Sequence, residues 1–431
     1  MTTQSITSLI NNVSCQDDYD PNSMPVVKAR QFIKQFLNPV EECESVELRS
    51  SLGRVLAADI LSPSNVPNYD NSAMDGYAFR AADIQKDGST QLTIIGTALA
   101  GQSFAEKVRQ NECVRIMTGG MMPSGSDTVI MQEKIRVDGD TITFTEAPKQ
   151  AMNVRYAGED LKLGQTVLAA GHLMRAADLG LIASLGIGNI SVYRKLKVAF
   201  FSTGDELASV DQTLKTGQVY DSNRYTLHGM LSRIGVDIID MGAIPDNPEL
   251  LENTLLNAAQ QADVVITSGG VSVGEADYMK LLLAKHGQVM FWKIAMKPGR
   301  PLAYGKIQGD NGKHAHYFGL PGNPVAVMVT FYQFVREALL ILMGQPQPNA
   351  LPMFKVECTQ AIRKLTGRTE FQRGILFVAD DGTWKVKPTG AQGSAMLSSM
   401  SLANCFIVLD EHIGNLDAGA TVQVQVLDGL V

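Results

Sequence analysis

The period of the apolar residues differs between successive stretches of the chain. In residues 26–37, VVKARQFIKQFL, apolar residues recur at helical spacing and predict an amphipathic helix. Residues 46–60 mix a short extended piece with a short helix, and Pro63 and Pro67 then interrupt regular structure. A domain boundary is therefore predicted near residue 63.

Short β-like runs flank the middle of the chain. Residues 64–164 contain short alternating or apolar runs separated by Gly, Asp and Pro, which is typical of a β-rich domain. Residues 165–193 follow, with a helix predicted around residues 175–185. After the linker-like segment QPQPNALP, residues 351–431 hold further short strands and suggest a small β-barrel or sandwich.

Strand-like and helix-like runs alternate between residues 195 and 344. KVAFFST, VDIIDMGAI, ADVVITSGG, QVMFWKIAMK and AHYFGLPGN are predicted to be strands. SNRYTLHGMLSRIG, PELLENTLLNAAQQ, ADYMKLLLAKHG and PVAVMVTFYQFVREALLILMG have helical spacing, the first with Ser222 or Asn223 as a possible cap. This alternation predicts a doubly wound α/β domain with a largely parallel sheet.

Composition and charge exclude some classes of partner. The chain has 431 residues, 45% hydrophobic and 19% charged, which is ordinary for a globular protein of several domains. Because 37 Lys and Arg stand against 44 Asp and Glu, no nucleic-acid partner is expected. An anionic ligand would need a local cationic pocket instead.

Three features predict a cytoplasmic location. The five cysteines are scattered, with no CxxC pair and no zinc pattern, which fits a reducing compartment. The polar residues 1–23 lack the basic and apolar regions of a secretory signal and predict a disordered tail. No run approaches the ~18 apolar residues of a membrane span, so no membrane partner is expected.

Small, acidic, amide or cationic residues follow five successive predicted strands of the α/β region. Ligands of open α/β sheets bind beyond the carboxyl ends of the strands. Turns favour the same residue types, but their recurrence at five strand ends predicts a ligand cleft. The five segments are STGDE (202–206), PDN (245–247), TSGGVS (267–272), KPGR (297–300) and LPGNP (320–324).

The segment TSGGVSVGEAD is a candidate phosphate cradle. Gly269 and Gly270 let backbone amides approach an oxyanion, and Ser268 and Ser272 can donate hydrogen bonds. The double glycine would also suit a tight turn, and the segment matches neither a Walker A loop nor GxGxxG. Its position at a strand end favours the cradle. The segment PGNP (321–324) starts a helix whose free N–H groups can also receive an anion.

Charged residues at the same strand ends predict a metal ion and an anion. Glu206, Asp246 and Asp277 are carboxylates at neighbouring strand ends, and Mg²⁺ takes one or two carboxylates plus substrate oxygens and water. Exposed loop acids are the alternative, and Asp277 could instead stabilise the first turn of a helix.

Lys293, Lys297 and Arg300 are the local cations that an anion requires. Since Lys293 and Lys297 lie four residues apart on a segment predicted to be extended, their side chains should face the same side. Lys293 lies between Trp292 and Ile294, so a partly buried ammonium would need an anionic partner. A lysine whose stem covers apolar surface is the alternative.

Polar loops also occur outside the α/β region. The β-rich region contains DNSAMDG (70–76), MTGG (117–120) and GED (158–160). The last region offers basic, amide and hydroxyl groups that could hold a second, compact anion, although surface loops have the same composition. They are Arg368, Arg373, Gln392, Ser394, Ser398 and Ser399.

Seven segments, in this order, resemble the motifs of one family. They are similar to those of the MoeA-like molybdopterin molybdenumtransferases, a family that includes the C-terminal part of gephyrin. The resemblance runs from about residue 25 to the end. The segments are DNSAMDGYA (70–78), RIMTGG (115–120), AGED (157–160), FSTGDEL (201–207), TSGGVSVGEADY (267–278), KPGRP (297–301) and LPGNPV (320–325).

The resemblance implies a reaction. Adenylylated molybdopterin and molybdate would be bound together, and the adenylate bond would be hydrolysed with Mg²⁺. Molybdenum would be inserted into the dithiolene, giving molybdenum cofactor and AMP. The upstream adenylyltransferase and the chaperones of molybdenum enzymes are candidate protein partners.

The resemblance also implies an elongated homodimer of four-domain subunits, in which the β-rich domain of one subunit faces the α/β domain of the other. The fold class expected is a multidomain α/β plus β protein. We divide the chain into a disordered tail (1–23), a linking domain (24–63 and 165–193), a β-rich domain (64–164), an α/β molybdopterin-binding domain (194–344) and a C-terminal β-barrel domain (345–431).

Residue roles follow from the same resemblance. The metal and phosphate would be held by carboxylates, Glu206, Asp246 and Asp277. The catalytic residues would be Glu206 and Asp277, together with three residues that complete the site from the partner subunit, Asp75, Thr118 and Asp160. Substrate phosphate and molybdate would contact Ser268, Gly269, Gly270, Ser272, Lys293, Lys297, Arg300, Pro321, Asn323 and Pro324. The residues at the molybdate end of the site would be Arg368, Arg373 and Ser394.

Two other functions stay open at this point. The first is the adenylyltransferase step that precedes molybdenum insertion, because residues 195–344 look like the single-domain enzymes of that step. The three additional regions argue against it. The second is a scaffold for peptide or cytoskeletal partners, which would call for an exposed apolar groove. In a scaffold the acids and lysines at the strand ends would be superfluous.

Overall fold

A computed structural model describes residues 23–85, 88–270, 276–309, 312–348 and 350–427, with the backbone alone described at residues 276, 277, 280 and 291. The predicted tail therefore lies outside the described residues, except for Ser23. The described chain forms two compact units, one combining residues 23–44, 53–55 and 193–427 and the other residues 45–52 and 56–192. The five-segment division drawn from the sequence stays a prediction.

The first helix, α1 (Val26–Lys34), confirms the amphipathic pattern of the N-terminal region. Its residues Val26, Ala29 and Ile33 are buried, at the helical spacing that the sequence shows. Phe32 meets Trp292 edge-on, with 5.2 Å between the ring centroids. The helix therefore packs within the larger unit.

The smaller unit is built on a six-stranded sheet. Three short strands come first, β1 (Cys43–Glu47), β2 (Ile60–Leu61) and β3 (Asn71–Ser72). The sheet strands follow, β4 (Gly76–Phe79), β5 (Thr90–Ala98), β6 (Glu112–Ile116), β7 (Thr128–Met131), β8 (Arg136–Asp138) and β9 (Thr141–Phe144). Their spatial order is β7-β4-β6-β5-β9-β8.

Short pairings close the smaller unit. β10 (Val154–Arg155) pairs with β3, β11 (Thr166–Leu168) with β2, and β12 (Asn189–Tyr193) with β1, while α2 (Ala176–Ser184) lies between the last two. Along β4, Tyr77 and Phe79 belong to one buried cluster and Ala78 to another. Alternate side chains of the strand thus enter different cores, as the pleat requires.

The larger unit contains the alternating elements that the sequence predicts. In chain order they are β13 (Lys197–Thr203), β14 (Leu207–Ala208), β15 (Val219–Tyr220), α3 (Ser222–Ile234), β16 (Asp237–Ile244), α4 (Pro248–Gln261), β17 (Val264–Ser268), α5 (Ala276–His286), β18 (Gly287–Lys293), β19 (Met296–Lys297), β20 (Pro301–Gln308), β21 (His314–Leu320), α6 (Pro324–Thr330) and α7 (Arg336–Leu342).

The main sheet of this unit has the order β16-β13-β17-β21-β20-β18. β13, β16, β17, β21 and β18 point in one direction, and among the six strands only β20 points in the opposite one. In the central β17, Val264, Val265 and Ile266 are fully buried because helices cover both faces. The doubly wound, largely parallel α/β domain is thus confirmed.

Two details differ from the sequence prediction. Strand β20 was not predicted, because it begins at Pro301 and contains Gly305, and both residue types are depleted in strands. The cap of α3 is Asp221, whose carboxylate accepts a hydrogen bond from the Arg224 amide at 3.2 Å, and not Ser222 or Asn223. Asn223 lies inside the first turn and has other contacts.

The C-terminal strands close into a five-stranded barrel. Its elements are β22 (Met353–Cys358), β23 (Thr369–Val378), β24 (Trp384–Pro388), α8 (Leu397–Leu402), β25 (Cys405–Leu409) and β26 (Thr421–Val426). The strand order is β23-β24-β22-β26-β25, and an additional β23–β25 pairing completes the circle. This closure decides for a barrel over a sandwich. β19 adds to β23 in parallel, joining the barrel to the α/β domain.

One helical stretch among the described residues, Pro324–Leu342, has the length and hydropathy of a membrane-spanning helix. It consists of α6, a π-helical segment (Phe331–Val335) and α7. Because 67% of it is buried inside the unit, it has the environment of a core helix in a globular domain.

Candidate active site

One edge of the α/β sheet gathers the segments predicted to bind ligand. β13, β16, β17, β21 and β18 all end at this edge, and β20, which runs the opposite way, begins there. The KPGR segment (297–300) therefore reaches the edge because it precedes an antiparallel strand. Since neighbouring strands lie about 4.8 Å apart, the ends of β16 and β18 are separated by ~24 Å. The edge can accommodate an extended ligand.

Carboxylates crowd one end of this edge. The Asp246 amide donates to Asp205 Oδ1 at 3.0 Å. Burial, followed by the charges of Asp205 and Glu206, raises the pKa of Asp246. Glu206 folds back over Gly204, whose φ of +147° and lack of a Cβ leave room for that carboxylate. A cation at this end would relieve the repulsion between the three acids.

The donor set at the acidic end suits a hard divalent ion. Among the described residues, no group of three or more His, Cys, Asp or Glu has metal-binding geometry. Glu206 and Asp246 offer only oxygen ligands, which fits Mg²⁺, since this ion keeps several waters and takes one or two carboxylates. Asp277, the third predicted ligand, begins α5, and its side chain lies outside the described residues.

The glycine segment at the end of β17 differs in part from the predicted cradle. Gly269 has φ of +90°, and a Cβ there would lie 2.7 Å from the Thr203 carbonyl oxygen, so the position requires glycine. Its amide already donates to the Leu320 carbonyl at 3.2 Å, which leaves Gly270 as the candidate amide donor. Ser268 is buried, and Ser272 lies outside the described residues.

The prediction that Lys293 and Lys297 lie on one extended segment is wrong. The chain leaves the main sheet after Lys293, where a hydrogen bond of 2.8 Å from Met296 N to Ile294 O marks a tight turn. Lys297 then pairs with the barrel strand β23. The two lysines thus belong to different sheets, and an alternation argument does not apply across the turn.

A pocket of about 570 Å³ lies between the KPGR segment, the PGN segment and the barrel. Six predicted substrate residues line it, and five of them are polar or cationic. They are Lys297, Arg300, Pro321, Asn323, Arg368 and Ser394.

Glu370 of the barrel and Val325 of α6 place two polar groups of this pocket. The buried Glu370 carboxylate lies 3.7 Å from Lys297 Nζ and accepts a hydrogen bond from Gln372 at 3.0 Å, so it holds the lysine stem against the barrel. The Ser394 carbonyl accepts from the Val325 amide at 3.2 Å. That amide, in the first turn of α6 after Pro324, is consequently used to place Ser394 and not to bind an anion.

Arg373 does not line the pocket, contrary to the prediction of direct contact. Its side chain is 1% exposed and donates to Ser399 Oγ at 3.0 Å and to the Gly393 carbonyl at 2.9 Å. Its backbone amide donates to Gln392 Oε1 at 2.8 Å. Burial lowers the pKa of Arg373 to about 10. Arg373 therefore supports, from behind, the loop that presents Ser394.

In the smaller unit, the three predicted loops converge. Thr118 donates to Asp75 Oδ1 through its amide at 2.7 Å and its hydroxyl at 2.8 Å, and these bonds lower the pKa of Asp75. The Ala157 amide donates to Asp70 Oδ1 at 2.8 Å, which joins the AGED turn to the same loop. Asp160, at the end of that turn, is exposed.

Comparison with known proteins gives the relationship of the chain. Residues 24–186 match the MoeA N-terminal region (domain I and II), residues 199–340 match a probable molybdopterin binding domain, and residues 355–427 match the MoeA C-terminal region (domain IV). A molybdopterin molybdenumtransferase of Haemophilus influenzae is 46% identical over 391 residues, covering 90% of this chain and 95% of the relative. The chain belongs to the molybdopterin molybdenumtransferase family.

Further relatives agree with this assignment. A molybdopterin molybdenumtransferase of Nostoc is 33% identical, covering 93% of this chain and 95% of the relative. The crystal structure of a molybdopterin biosynthesis MoeA protein from Pyrococcus horikoshii superposes with a TM-score of 0.80 at 29% identity, covering 94% of this chain and all of that one. The chain is thus a transferase of molybdenum cofactor biosynthesis. Matches on both sides of the α/β domain disfavour the adenylyltransferase alternative.

Four residues at the site were not predicted from the sequence in the roles that the structure gives them. Asp205 was noted without a role, and Gln392 was considered only as a possible anion contact and not as a partner of the Arg373 amide. Glu370 was overlooked because a carboxylate beside cations is not expected in an anion pocket. Asn223 was considered only as a helix cap. The signal for Asn223 was its position one turn before an apolar helix face, although sequence alone could not show which loops its amide reaches.

Proposed function

We propose that the chain binds adenylylated molybdopterin and molybdate together along this edge, hydrolyses the adenylate bond with Mg²⁺, and releases molybdenum cofactor and AMP. The observation that carries the proposal is the separation of charge along the edge, with acids at the β13 and β16 ends and a cationic pocket at the KPGR segment. A ligand with phosphates at one end and a metal-accepting group at the other matches this arrangement.

At the acidic end, Glu206 and Asp246, with Asp277, would hold the metal ion. When bound, Mg²⁺ would neutralise phosphate charge and orient the attacking water. Water would add to the phosphorus of the adenylate as the phosphoanhydride bond breaks, so that AMP and the pterin phosphate separate. Gly270 would offer its amide to a phosphate oxygen.

At the other end, the pocket would hold molybdate. Lys297, Arg300 and Arg368 bring positive charge to its wall, and Ser394 brings a hydroxyl group. Charge-assisted hydrogen bonds of this kind are the strong ones for a compact oxyanion. The Glu370 carboxylate would keep Lys297 in place and also limit the net positive charge, so that the product can leave.

We further propose a cytoplasmic homodimer whose clefts are shared between subunits. Asp75 is held ionised by two hydrogen bonds from Thr118, which is a suitable state for a residue that binds a cation or orients water. The upstream adenylyltransferase and the chaperones of molybdenum enzymes are the partners expected for delivery and removal of the pterin.

Release of AMP from adenylylated molybdopterin tests the proposal. We expect release by the wild-type chain to require both molybdate and Mg²⁺. Lys297→Ala should lower the rate of release by about 100-fold or more, since it removes a charged donor from the pocket. AMP would be quantified by chromatography at fixed enzyme and substrate concentrations.

Lys195→Ala is the matched control. Lys195 is a half-exposed lysine at the opposite edge of the same sheet, where it pairs with Asp237 at 3.8 Å. Its loss should leave the rate of AMP release unchanged. A wild-type rate in Lys297→Ala, or AMP release that needs neither molybdate nor Mg²⁺, would show that the proposed reaction is wrong.

A further inference from the structure

A buried amide joins the two loops that the proposed function assigns to different ligands. Asn223, in the first turn of α3, is 9% exposed. Its Nδ2 donates to Ser268 Oγ at 2.8 Å and to the Gly322 carbonyl at 2.7 Å. Both hydrogens of the amide are therefore used, one on each loop.

The two loops are neighbours with separate duties. Ser268 ends β17 and precedes Gly269 and Gly270, the candidate phosphate loop. Gly322 follows β21 and lines the oxyanion pocket. The backbones run close together, since the Gly269 amide donates to the Leu320 carbonyl at 3.2 Å. A shift of either loop would therefore displace the other.

The orientation of Asn223 is set by these two donations. A carbonyl oxygen such as that of Gly322 can only accept, so the amide must present its nitrogen there. Asn223 Oδ1 is left buried without a hydrogen-bond partner in the described part of the chain, and so is Oδ2 of the cap residue Asp221. Buried acceptors are normally satisfied. The two donated hydrogen bonds thus fix the side chain in an orientation that leaves Oδ1 without a hydrogen bond.

We infer that Asn223 is a positioning residue that couples occupancy of the Gly269–Gly270 loop to occupancy of the oxyanion pocket. A ligand that orders one loop would, through this amide, also order the other, and the second ligand would then bind at a lower entropic cost. Because coupling is reciprocal, each ligand must change the affinity of the other by the same factor. The inference rests on the proposed function, which places nucleotide phosphate and molybdate at these two positions.

Calorimetric titration of the full chain with AMP and with molybdate, in the presence of Mg²⁺, tests the inference. In the wild type we expect AMP to bind at least about fivefold more tightly when molybdate is saturating. In Asn223→Asp this ratio should fall to about one. The aspartate has nearly the same size, and an acid is favourable in a first helical turn, but it cannot donate to the Gly322 carbonyl. Asn223→Ala is the second variant, which removes both donations without adding charge.

Gln333→Ala controls for loss of a buried amide. Gln333 is 1% exposed and donates to Gln425 Oε1 at 2.7 Å, away from both loops. The Gln333→Ala variant should have a lower free energy of unfolding and the same coupling factor between AMP and molybdate as the wild type. If both ligands bind but the wild type shows no coupling, or Asn223→Asp and Asn223→Ala keep it, this inference is wrong while the proposed function stands. If neither ligand binds the wild type, both are wrong.

Discussion

A guanidinium buried behind a pocket wall acts on the ligand through the loop that it holds. Arg373 donates to Ser399 Oγ and to the Gly393 carbonyl, and its backbone amide holds Gln392. Ser394, which lines the pocket, is the next residue after Gly393. Hydrogen bonds from a charged donor are among the stronger ones, so the loop conformation depends on this side chain although the anion does not touch it.

Arg373→Met should weaken molybdate binding by about tenfold, because Ser394 loses its support, which corresponds to about 1.4 kcal/mol. The free energy of unfolding should fall by about 1–3 kcal/mol, since the Gly393 carbonyl and the Ser399 hydroxyl lose their donor. Calorimetry with molybdate and urea unfolding would measure the two effects.

Asn404→Ala is the control for this variant. The Asn404 side chain also holds backbone of the barrel, since its Nδ2 donates to the Leu376 carbonyl at 2.8 Å and its Oδ1 accepts from the Leu376 amide at 2.7 Å. The variant should reduce stability without changing molybdate affinity, because Asn404 is uncharged and does not line the pocket. If Arg373→Met reduced stability alone, Arg373 would serve only the fold of the barrel.

At the residue scale, the sequence predicted the side chains that face the pocket better than those that place them. Lys297 and Arg300 were predicted because cations beside glycine and proline at a strand end suggest an anion. Arg368 and Arg373 were predicted together, because basic groups among hydroxyl groups in the last region could hold a compact anion and because the family resemblance implies this role. Nothing in its local sequence distinguishes an arginine that faces solvent from one that is buried.

The first turn of α2 contains a buried carboxylate that is stabilised by neighbouring hydrogen-bond donors. The Asp178 carboxylate, 4% exposed, accepts from the Arg175 amide at 2.8 Å and lies 2.7 Å from His172 Nε2. Burial alone would raise the pKa of Asp178, but the hydrogen bonds from His172 and Arg175 outweigh it and lower the pKa to about 2. The start of α2 is therefore stabilised by an ionised side chain.

The stability contribution of Asp178 should depend on pH. Since its folded pKa lies below the unfolded value, the contribution is present above the unfolded pKa of about 4 and is lost as the pH falls through the folded pKa. We expect Asp178→Asn to cost about 2 kcal/mol of unfolding free energy at pH 7 and about 1 kcal/mol at pH 3. Urea unfolding at both values would measure this, with the exposed Asp138→Asn as control. An equal cost at both values would contradict the prediction.

At the element scale, strands with continuous apolar runs and helices with marked caps were predicted, whereas β20 was not. Because β20 was not predicted, the KPGR segment was assigned to the end of the preceding strand. In the structure the segment connects β18 to β20 by way of the barrel. Both descriptions place it at the same sheet edge, so the conclusion about the site survived an error about the element.

For the whole molecule, the proposed shared cleft gives a test by mixing subunits. Asp75→Ala and Asp277→Ala should each abolish AMP release. In a heterodimer of the two, one cleft of the symmetric pair regains both wild-type residues. A random mixture should therefore recover about a quarter of the wild-type activity.

Asp75→Ala mixed with Thr118→Ala is the control. Both residues belong to the same loop cluster, joined by two hydrogen bonds. Every cleft of that heterodimer would lack one of them, so no recovery is expected. Failure of the first mixture to recover activity, with heterodimers demonstrated, would mean that each cleft is built from one chain.

Local patterns in the sequence were enough to predict the family, the order of the main elements apart from β20, and the segments that gather at one edge of the α/β sheet. Hydrophobic period, caps and glycine-rich turns depend on residues that are near one another in the chain, so they can be recognised without a fold. Three features became evident only in the folded chain: β20 runs antiparallel, β23 and β25 close the barrel, and Arg373 is buried. These outcomes depend on pairing and packing between residues far apart in sequence, and local pattern does not encode them.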